Sequence, residues 1–174
     1  MKYDVNTGKL IWQSEKFKAA KAVPGIYAIE DRVIVQVGGV VDMESITRSR
    51  DSEGNITTTY KIDVENVKPN GLMAFDTKTG SQVWDSERFK KGITNAYADG
   101  NNLIVSSGKS LYSINYNDGS VNYEEAVKNG GVGNAVEIRP YKDKIVVIGE
   151  KGVSLFSAGD GKLVKAAKYK RASV

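Results

Sequence analysis

The stretch FDTKTGSQVWDSE, residues 75–87, has the pattern of a strand, a tight turn and a second strand. A near copy, YDVNTGKLIWQSE, lies at residues 3–15 and shares Asp, Thr-Gly and Trp in register. In such a turn, the Asp side chain accepts hydrogen bonds from backbone amides that follow it, and Gly supplies the positive φ. A unit that recurs in this way predicts a repeat protein.

The repeat occurs four times when each copy is aligned on its turn glycine, with a period of about 40 residues once an insertion at residues 41–70 is set aside. The first two copies are strong, and the last keeps only a small polar residue and the glycine. The turn glycines are Gly8, Gly80, Gly119 and Gly161. Four residues before them stand Asp4, Asp76, Asn115 and Ser157, and four residues after them stand Trp12, Trp84, Tyr123 and Lys165.

A second kind of hairpin lies between these motifs: GIYAIEDRVIVQVGG, AYADGNNLIVSSG and VEIRPYKDKIVVIGE each have a strand, a polar turn and a β-branched strand. Each period therefore holds four short strands. The segment KFKAAKA at residues 16–22 is short and is followed by Pro24, so we interpret it as a loop. Four strands repeated at this period are typical of a β-propeller blade.

The predicted fold is all-β, an open arc of about three and a half four-stranded antiparallel blades in one partial propeller domain. Because rings usually contain four to eight blades, we expect about half of a larger propeller, or self-association through exposed blade faces and edge strands. The domain spans residues 1–174, with a half-blade at 1–15, a blade at 24–86 that carries the insertion 41–70, and blades at 93–125 and 134–168.

The motif A-x-D-x-x-T-G-x-x-x-W occurs as AFDTKTGSQVW at residues 74–84 and nearly so as YDVNTGKLIW at residues 3–12. It resembles the PQQ-like, tryptophan-docking propeller repeat of quinoprotein dehydrogenases, whose non-enzymatic relatives include an outer-membrane assembly lipoprotein. The resemblance covers nearly the whole chain apart from the insertion. It implies that Trp12 and Trp84 lie flat between blades, on the next motif glycine and bonded to an inter-blade carbonyl. The implied docking set is Asp4, Gly8, Trp12, Asp76, Gly80, Trp84, Asn115, Gly119, Tyr123 and Gly161.

Two other propeller repeats fit the sequence less well. Trp84-Asp85 is a WD dipeptide, but it occurs once. Gly38-Gly39 after VIVQV is similar to the double glycine of kelch repeats, but the pair does not recur at the matching positions of the later hairpins. Both alternatives predict the same propeller architecture.

The composition excludes several kinds of catalysis. The chain contains no His and no Cys, which removes Ser-His-Asp and Cys-His catalysis and ordinary zinc sites. Enzymes of the resembled family bind pyrroloquinoline quinone and Ca²⁺ through carboxylates and amides. No Glu, Asn and Asp set here matches those ligands at a recognisable motif, so we assign no catalytic, cofactor-binding or metal residues. The segment DSEGN at residues 51–55 lacks the later Glu of an EF-hand loop and predicts a hairpin tip.

The insertion predicts a two-stranded arm with alternating, β-branched flanks, and we expect it to contact a protein partner through Arg48, Arg50 and Tyr60. The expected function is a non-catalytic protein-binding or scaffolding module. The alternative is a fragment of a quinoprotein oxidoreductase whose cofactor ligands lie outside this chain. Partners would be another protein, the missing blades or a second copy.

Charge and hydropathy bound the remaining partners. The net charge of +4 is mild, and basic and aromatic residues are not interleaved, so we expect no nucleic-acid binding. Nor does any apolar run approach the roughly 20 residues of a membrane helix, and we expect no membrane insertion. The N-terminal residues lack the apolar core of a signal peptide. A periplasmic, extracellular or other cell-envelope location rests on the family resemblance alone.

Overall fold

The computed structural model of the protein describes residues 1–14, 23–86, 89–125 and 128–170. Within these ranges the chain forms fourteen β-strands and one 3₁₀ helix, Lys128–Gly131. The loop interpretation of residues 16–22 lies outside the described residues. None of the described residues belongs to a helix long and apolar enough to cross a membrane.

The strands form one two-stranded and three four-stranded antiparallel sheets, each of the latter a simple meander. The half-sheet contains β1 (Lys2–Tyr3) and β2 (Leu10–Trp12). The first sheet contains β3 (Gly25–Ile29), β4 (Arg32–Arg50), β5 (Ile56–Asp76) and β6 (Gln82–Asp85). The second contains β7 (Tyr97–Asp99), β8 (Asn102–Ser107), β9 (Ser110–Asn115) and β10 (Val121–Glu125). The third contains β11 (Ala135–Tyr141), β12 (Lys144–Gly149), β13 (Gly152–Ser157) and β14 (Leu163–Lys168).

The core lies between the sheets, because the middle strands are apolar on both faces. In β8, Leu103 and Val105 pack in one cluster with Ile34 of the first sheet. Ile104, which points the opposite way, packs in a second cluster with Phe156 of the third sheet. The second sheet is therefore buried between its two neighbours, as a propeller blade is. The predicted all-β partial propeller of four-stranded antiparallel blades is confirmed.

The arm is formed by residues 41–65, where β4 and β5 continue beyond the first sheet as a two-stranded ribbon. Its pairing runs without a break from Val41 opposite Glu65 to Arg50 opposite Ile56. A bulge at Gly38 separates the arm from the four-stranded part of the sheet. The tip is held by Asp51, whose Oδ1 accepts hydrogen bonds from the backbone N–H groups of residues 53 and 55 at 3.0 and 2.8 Å.

Candidate functional site

The four motif turns share one backbone geometry. In each, the glycine N–H donates to the carbonyl four residues earlier at 2.8–3.0 Å. Oδ1 of Asp76 also accepts from the N–H of Thr79 at 2.8 Å, and Oδ1 of Asp4 accepts from the N–H of Thr7 at 2.7 Å. These backbone hydrogen bonds hold the pKa of both carboxyl groups below the ordinary value, because they favour the charged form. These two acidic side chains therefore stabilise the turns.

Trp84 connects the first sheet to the second. Its indole Nε1 donates to the carbonyl oxygen of Tyr116 at 2.8 Å, and the residue is only 6 % exposed. The ring lies against Gly119, where an added Cβ would come within 2.7 Å of a ring carbon. Gly119 also has a φ of +76°, so both the turn and the close approach of the ring require glycine.

The same arrangement recurs along the arc. In each case the aromatic residue that closes one sheet lies on the turn glycine of the next and donates to the carbonyl three residues before that glycine. Trp12 pairs with Gly80 and the Thr77 oxygen at 2.9 Å, and Tyr123 pairs with Gly161 and the Ala158 oxygen at 3.1 Å. Among the described residues, nothing lies within 4 Å of an added Cβ at Gly8, and Lys165 occupies the aromatic position in the third sheet.

Three polar side chains that the sequence did not single out also join neighbouring sheets. The Tyr116 hydroxyl donates to the Ile29 oxygen at 2.6 Å and to Asp31 Oδ1 at 3.0 Å. Gln36 Nε2 donates to the carbonyl of residue 93 at 3.0 Å. Asn95 both donates to and accepts from the backbone of residue 138, at 2.8 and 2.9 Å. One signal was available, since Tyr116 is the only aromatic residue directly after the turn-starting position in the four copies.

Stability is expected to fall as pH rises from about 10 to about 12. Burial raises the pKa of Tyr116 to about 12, with a contribution from its hydrogen bond to Asp31. Burial also raises the pKa of Tyr123 to about 12 and raises that of Tyr97. The folded protein thus holds these protons more tightly than the unfolded chain, whose tyrosines ionise near pH 10, so stability is fully present below pH 10 and is lost above it. Urea titrations at stepped alkaline pH would measure the decline.

The variant Tyr116→Phe should make this decline shallower, because it removes one of the raised pKa values. Tyr60→Phe is the matched control, since Tyr60 is 73 % exposed on the arm, and it should leave the profile unchanged. A Tyr116→Phe profile that follows the wild type throughout would contradict the explanation.

A cleft of about 590 Å³ opens where the three sheets meet near the base of the arm. Its polar lining groups bond mainly to one another. The Tyr27 hydroxyl donates to Gln36 Oε1 at 3.2 Å, and Asn134 Nδ2 donates to Glu150 Oε1 at 2.9 Å. That bond lowers the pKa of Glu150. These hydrogen bonds join neighbouring parts of the chain across the cleft. No group of three or more Asp and Glu residues in the described ranges could hold a metal ion.

The predicted contact residues of the arm lie on one face of the ribbon. Residues directly opposite in an antiparallel ladder share a face, so Arg48, Arg50 and Tyr60 point the same way, with Ile46 opposite Tyr60. All three predicted residues are exposed. Arg50 Nε donates to the carbonyl of Gly54 at 3.1 Å, which fixes this arginine near the tip.

Comparison with known proteins finds one matching family model and several similar solved structures. A model of the PQQ-like repeat family described as outer membrane protein assembly factor BamB matches residues 68–166. Among solved structures, the chain is similar to BamB from Moraxella catarrhalis, with 17 % identity, coverage of 83 % of this chain and 47 % of that one, and a TM-score of 0.48. It is also similar to the computationally designed protein Ika8, with 11 % identity, coverage of 92 % and 65 %, and a TM-score of 0.49. The chain spans less than two thirds of either structure, and no curated protein matches it.

Proposed function

We propose, since this chain belongs to the PQQ-like repeat family described as outer membrane protein assembly factor BamB, that it is a non-catalytic propeller module that binds proteins through its arm. The observation that carries this proposal is the exposure of large apolar side chains on the arm. Ile46, Tyr60 and Ile62 are 60, 73 and 65 % exposed, and they lie on one face. Contiguous exposed apolar surface is typical of interaction sites in soluble domains.

The scaffold suits this role because the arm is continuous with the first sheet. β4 and β5 run from the buried core directly into the ribbon, and Trp12 and Trp84 join that sheet to its neighbours on both sides. A binding surface on rigid strands keeps its geometry, which lowers the entropic cost of association.

A second contact would be made by the outer face of the third sheet. Val153 and Leu155 of β13 point away from the cluster that Phe156 shares with the second sheet, and Lys165, opposite Leu155, replaces the closing aromatic residue. We assign this face to further blades or to another protein. The family supports a periplasmic or other cell-envelope location for the module.

Photo-cross-linking would test the arm as a contact surface. A photoreactive amino acid replaces Tyr60 in the full chain, and the matched control carries it at Thr59, which is exposed on the opposite face. Cells that express each variant are irradiated, and the products are identified by mass spectrometry. A defined product at position 60 that is absent at position 59 is expected. Equal products at both positions, or none at either, would overturn the assignment.

Quinone binding would test the non-catalytic part of the proposal. The full chain is titrated with pyrroloquinoline quinone in the presence of Ca²⁺, and Trp fluorescence reports binding. No saturable change is expected. Saturable uptake would instead favour the quinoprotein oxidoreductase alternative.

A further inference from the structure

The two faces of the arm differ in chemistry. In a β-ribbon successive side chains alternate between faces, and the register fixes which residues share one. The apolar face carries Asp42, Glu44, Ile46, Arg48 and Arg50 from β4, and Ile56, Thr58, Tyr60, Ile62 and Val64 from β5. The reverse face carries Val41, Met43, Ser45, Thr47 and Ser49 from β4, and Thr57, Thr59, Lys61, Asp63 and Glu65 from β5.

Nearly all of the exposed hydrophobic surface of the arm is on the apolar face. Ile46, Ile56, Tyr60, Ile62 and Val64 are each 60–73 % exposed, whereas Met43, at 49 %, is the one such residue on the reverse face. The reverse face is rich in Ser and Thr, and its Lys61 Nζ lies 2.7 Å from Asp63 Oδ2. The apolar face therefore has most of the arm's apolar surface whose burial would stabilise a contact.

The charges on the apolar face are ordered along the strand. Reading every second residue of β4 from the sheet toward the tip gives Asp42, Glu44, Ile46, Arg48 and Arg50: two negative charges, an apolar centre and two positive charges. Among the described residues, Asp42, Glu44 and Arg48 form no ion pair within the chain. The order is antisymmetric about Ile46.

We propose that the apolar face binds the apolar face of a second copy of this chain, across a two-fold axis at Ile46; this rests on the proposed function of the arm as a protein-binding surface. A two-fold axis that lies between the two faces and runs across the strands places β4 over the partner's β4 and reverses the direction of the strand. Arg48 then lies over the partner's Glu44, and Arg50 lies over the partner's Asp42. Every charge on this face meets its opposite, and each pair occurs twice.

The apolar side chains satisfy the same axis. Tyr60, opposite Ile46 in the ladder, stacks over the partner's Tyr60. Val64 lies over the partner's Ile56, so apolar residues meet apolar residues away from the axis as well. A two-fold axis parallel to the strands would instead place β4 over the partner's β5, so that Arg48 would lie over the partner's Thr58 and Glu44 over the partner's Ile62. That packing covers the charges of this face without an opposite charge above them, which disfavours it. The charge order therefore fits a second copy in one orientation.

The interface would be small. It uses ten side chains of each chain, against roughly 20–30 residues a side in a standard stable interface. We therefore expect a weak dimer whose population rises with concentration.

Analytical ultracentrifugation of the full chain from about 1 µM to about 1 mM would test the proposal. The wild type should dimerise over this range. Arg48→Glu with Arg50→Glu should weaken dimerisation by about tenfold or more, because four attractive contacts become repulsive. Adding Asp42→Arg and Glu44→Arg to that variant restores complementarity with the order reversed, and dimerisation should return. The reverse-face swap Lys61→Asp with Asp63→Lys is the matched control and should dimerise as the wild type does.

Mixing gives the sharpest readout. The fourfold-swapped chain complements itself but opposes the wild type at all four charged positions, so a mixture should contain the two homodimers without the heterodimer. A wild type that stays monomeric to the highest concentration, or a double reversal that dimerises like the wild type, would overturn the proposal.

Cross-linking supplies a second measurement that does not depend on the charge variants. The chain has no Cys, so Ile46→Cys introduces a single thiol at the proposed axis. A short bis-maleimide, which spans packed sheets about 10 Å apart, should join two copies of this variant but not two copies of Thr47→Cys, which lies on the reverse face. Equal dimer yields from both would contradict the geometry. A monomeric chain whose position 60 cross-links another protein would refute self-association while leaving the proposed function intact.

Discussion

Replacing Trp84 by alanine is expected to lower the free energy of unfolding by about 3–5 kcal/mol. The side chain is almost fully buried, in a cluster that contains residues from both the first and the second sheet. Its removal leaves a cavity at that junction and also leaves the Tyr116 carbonyl without the indole N–H donor. Urea titration followed by far-ultraviolet circular dichroism would measure the loss.

Two further variants separate the causes. Trp84→Phe keeps a ring over Gly119 but removes the donor, so it should cost about 1–3 kcal/mol, the penalty for a buried acceptor without its partner. Trp12→Ala removes a half-buried ring at the junction with the half-sheet, and it should cost less than Trp84→Ala. Equal losses for Trp12→Ala and Trp84→Ala would show that the buried junction contributes no more than the exposed one.

The parts of the fold that could be predicted are those specified by residues close together in the sequence. Asp76, the turn glycine and Trp84 lie within nine residues of each other, so one motif specifies the turn, the strand that follows it and the aromatic residue that closes the sheet. The run of consecutive apolar residues in β8, Leu103 to Val105, likewise indicates a strand buried on both faces. Repetition of these local signals gave the number of strands and their antiparallel order.

The residues that join neighbouring sheets could not be found in this way. Tyr116 donates to Asp31, 85 positions away, and Asn95 bonds to residue 138, 43 positions away. No local sequence pattern predicts which backbone carbonyl a side chain will hydrogen-bond to once the sheets have packed together. The aromatic docking positions were assigned only because the motif resembles a known family, and periodicity alone would have left them as ordinary core residues.

The arm shows how much depends on register. Its alternating pattern predicted a ribbon, and Arg48, Arg50 and Tyr60 were chosen as capable side chains without knowledge of which face each occupies. A shift of one residue in the pairing would place Tyr60 opposite Thr47, and Arg48 and Arg50 would then share a face with Lys61 and Asp63 instead of with Tyr60. Only the ladder therefore shows that the charge order about Ile46 lies on the same face as Tyr60.

Gly38→Ala is expected to destabilise the protein by about 2–5 kcal/mol, because two costs add at the junction between the sheet and the arm. Gly38 has a φ of +73°, which costs an alanine about 1–2 kcal/mol. An added Cβ would also meet the carbonyl oxygen of Pro69, a backbone atom that cannot rotate away, and relieving this clash costs about 1–3 kcal/mol more. Equilibrium urea unfolding would measure the sum.

Gly100→Ala is the matched control, since Gly100 has a φ of +56° and nothing within 4 Å of an added Cβ. It should show the backbone cost alone, and the difference between the two variants isolates the contact with Pro69. If Gly38→Ala costs no more than Gly100→Ala, the strands can move apart at the bulge without penalty. The arm would then have no fixed direction relative to the propeller, and its binding would incur an entropic cost of orientation that a rigid ribbon avoids.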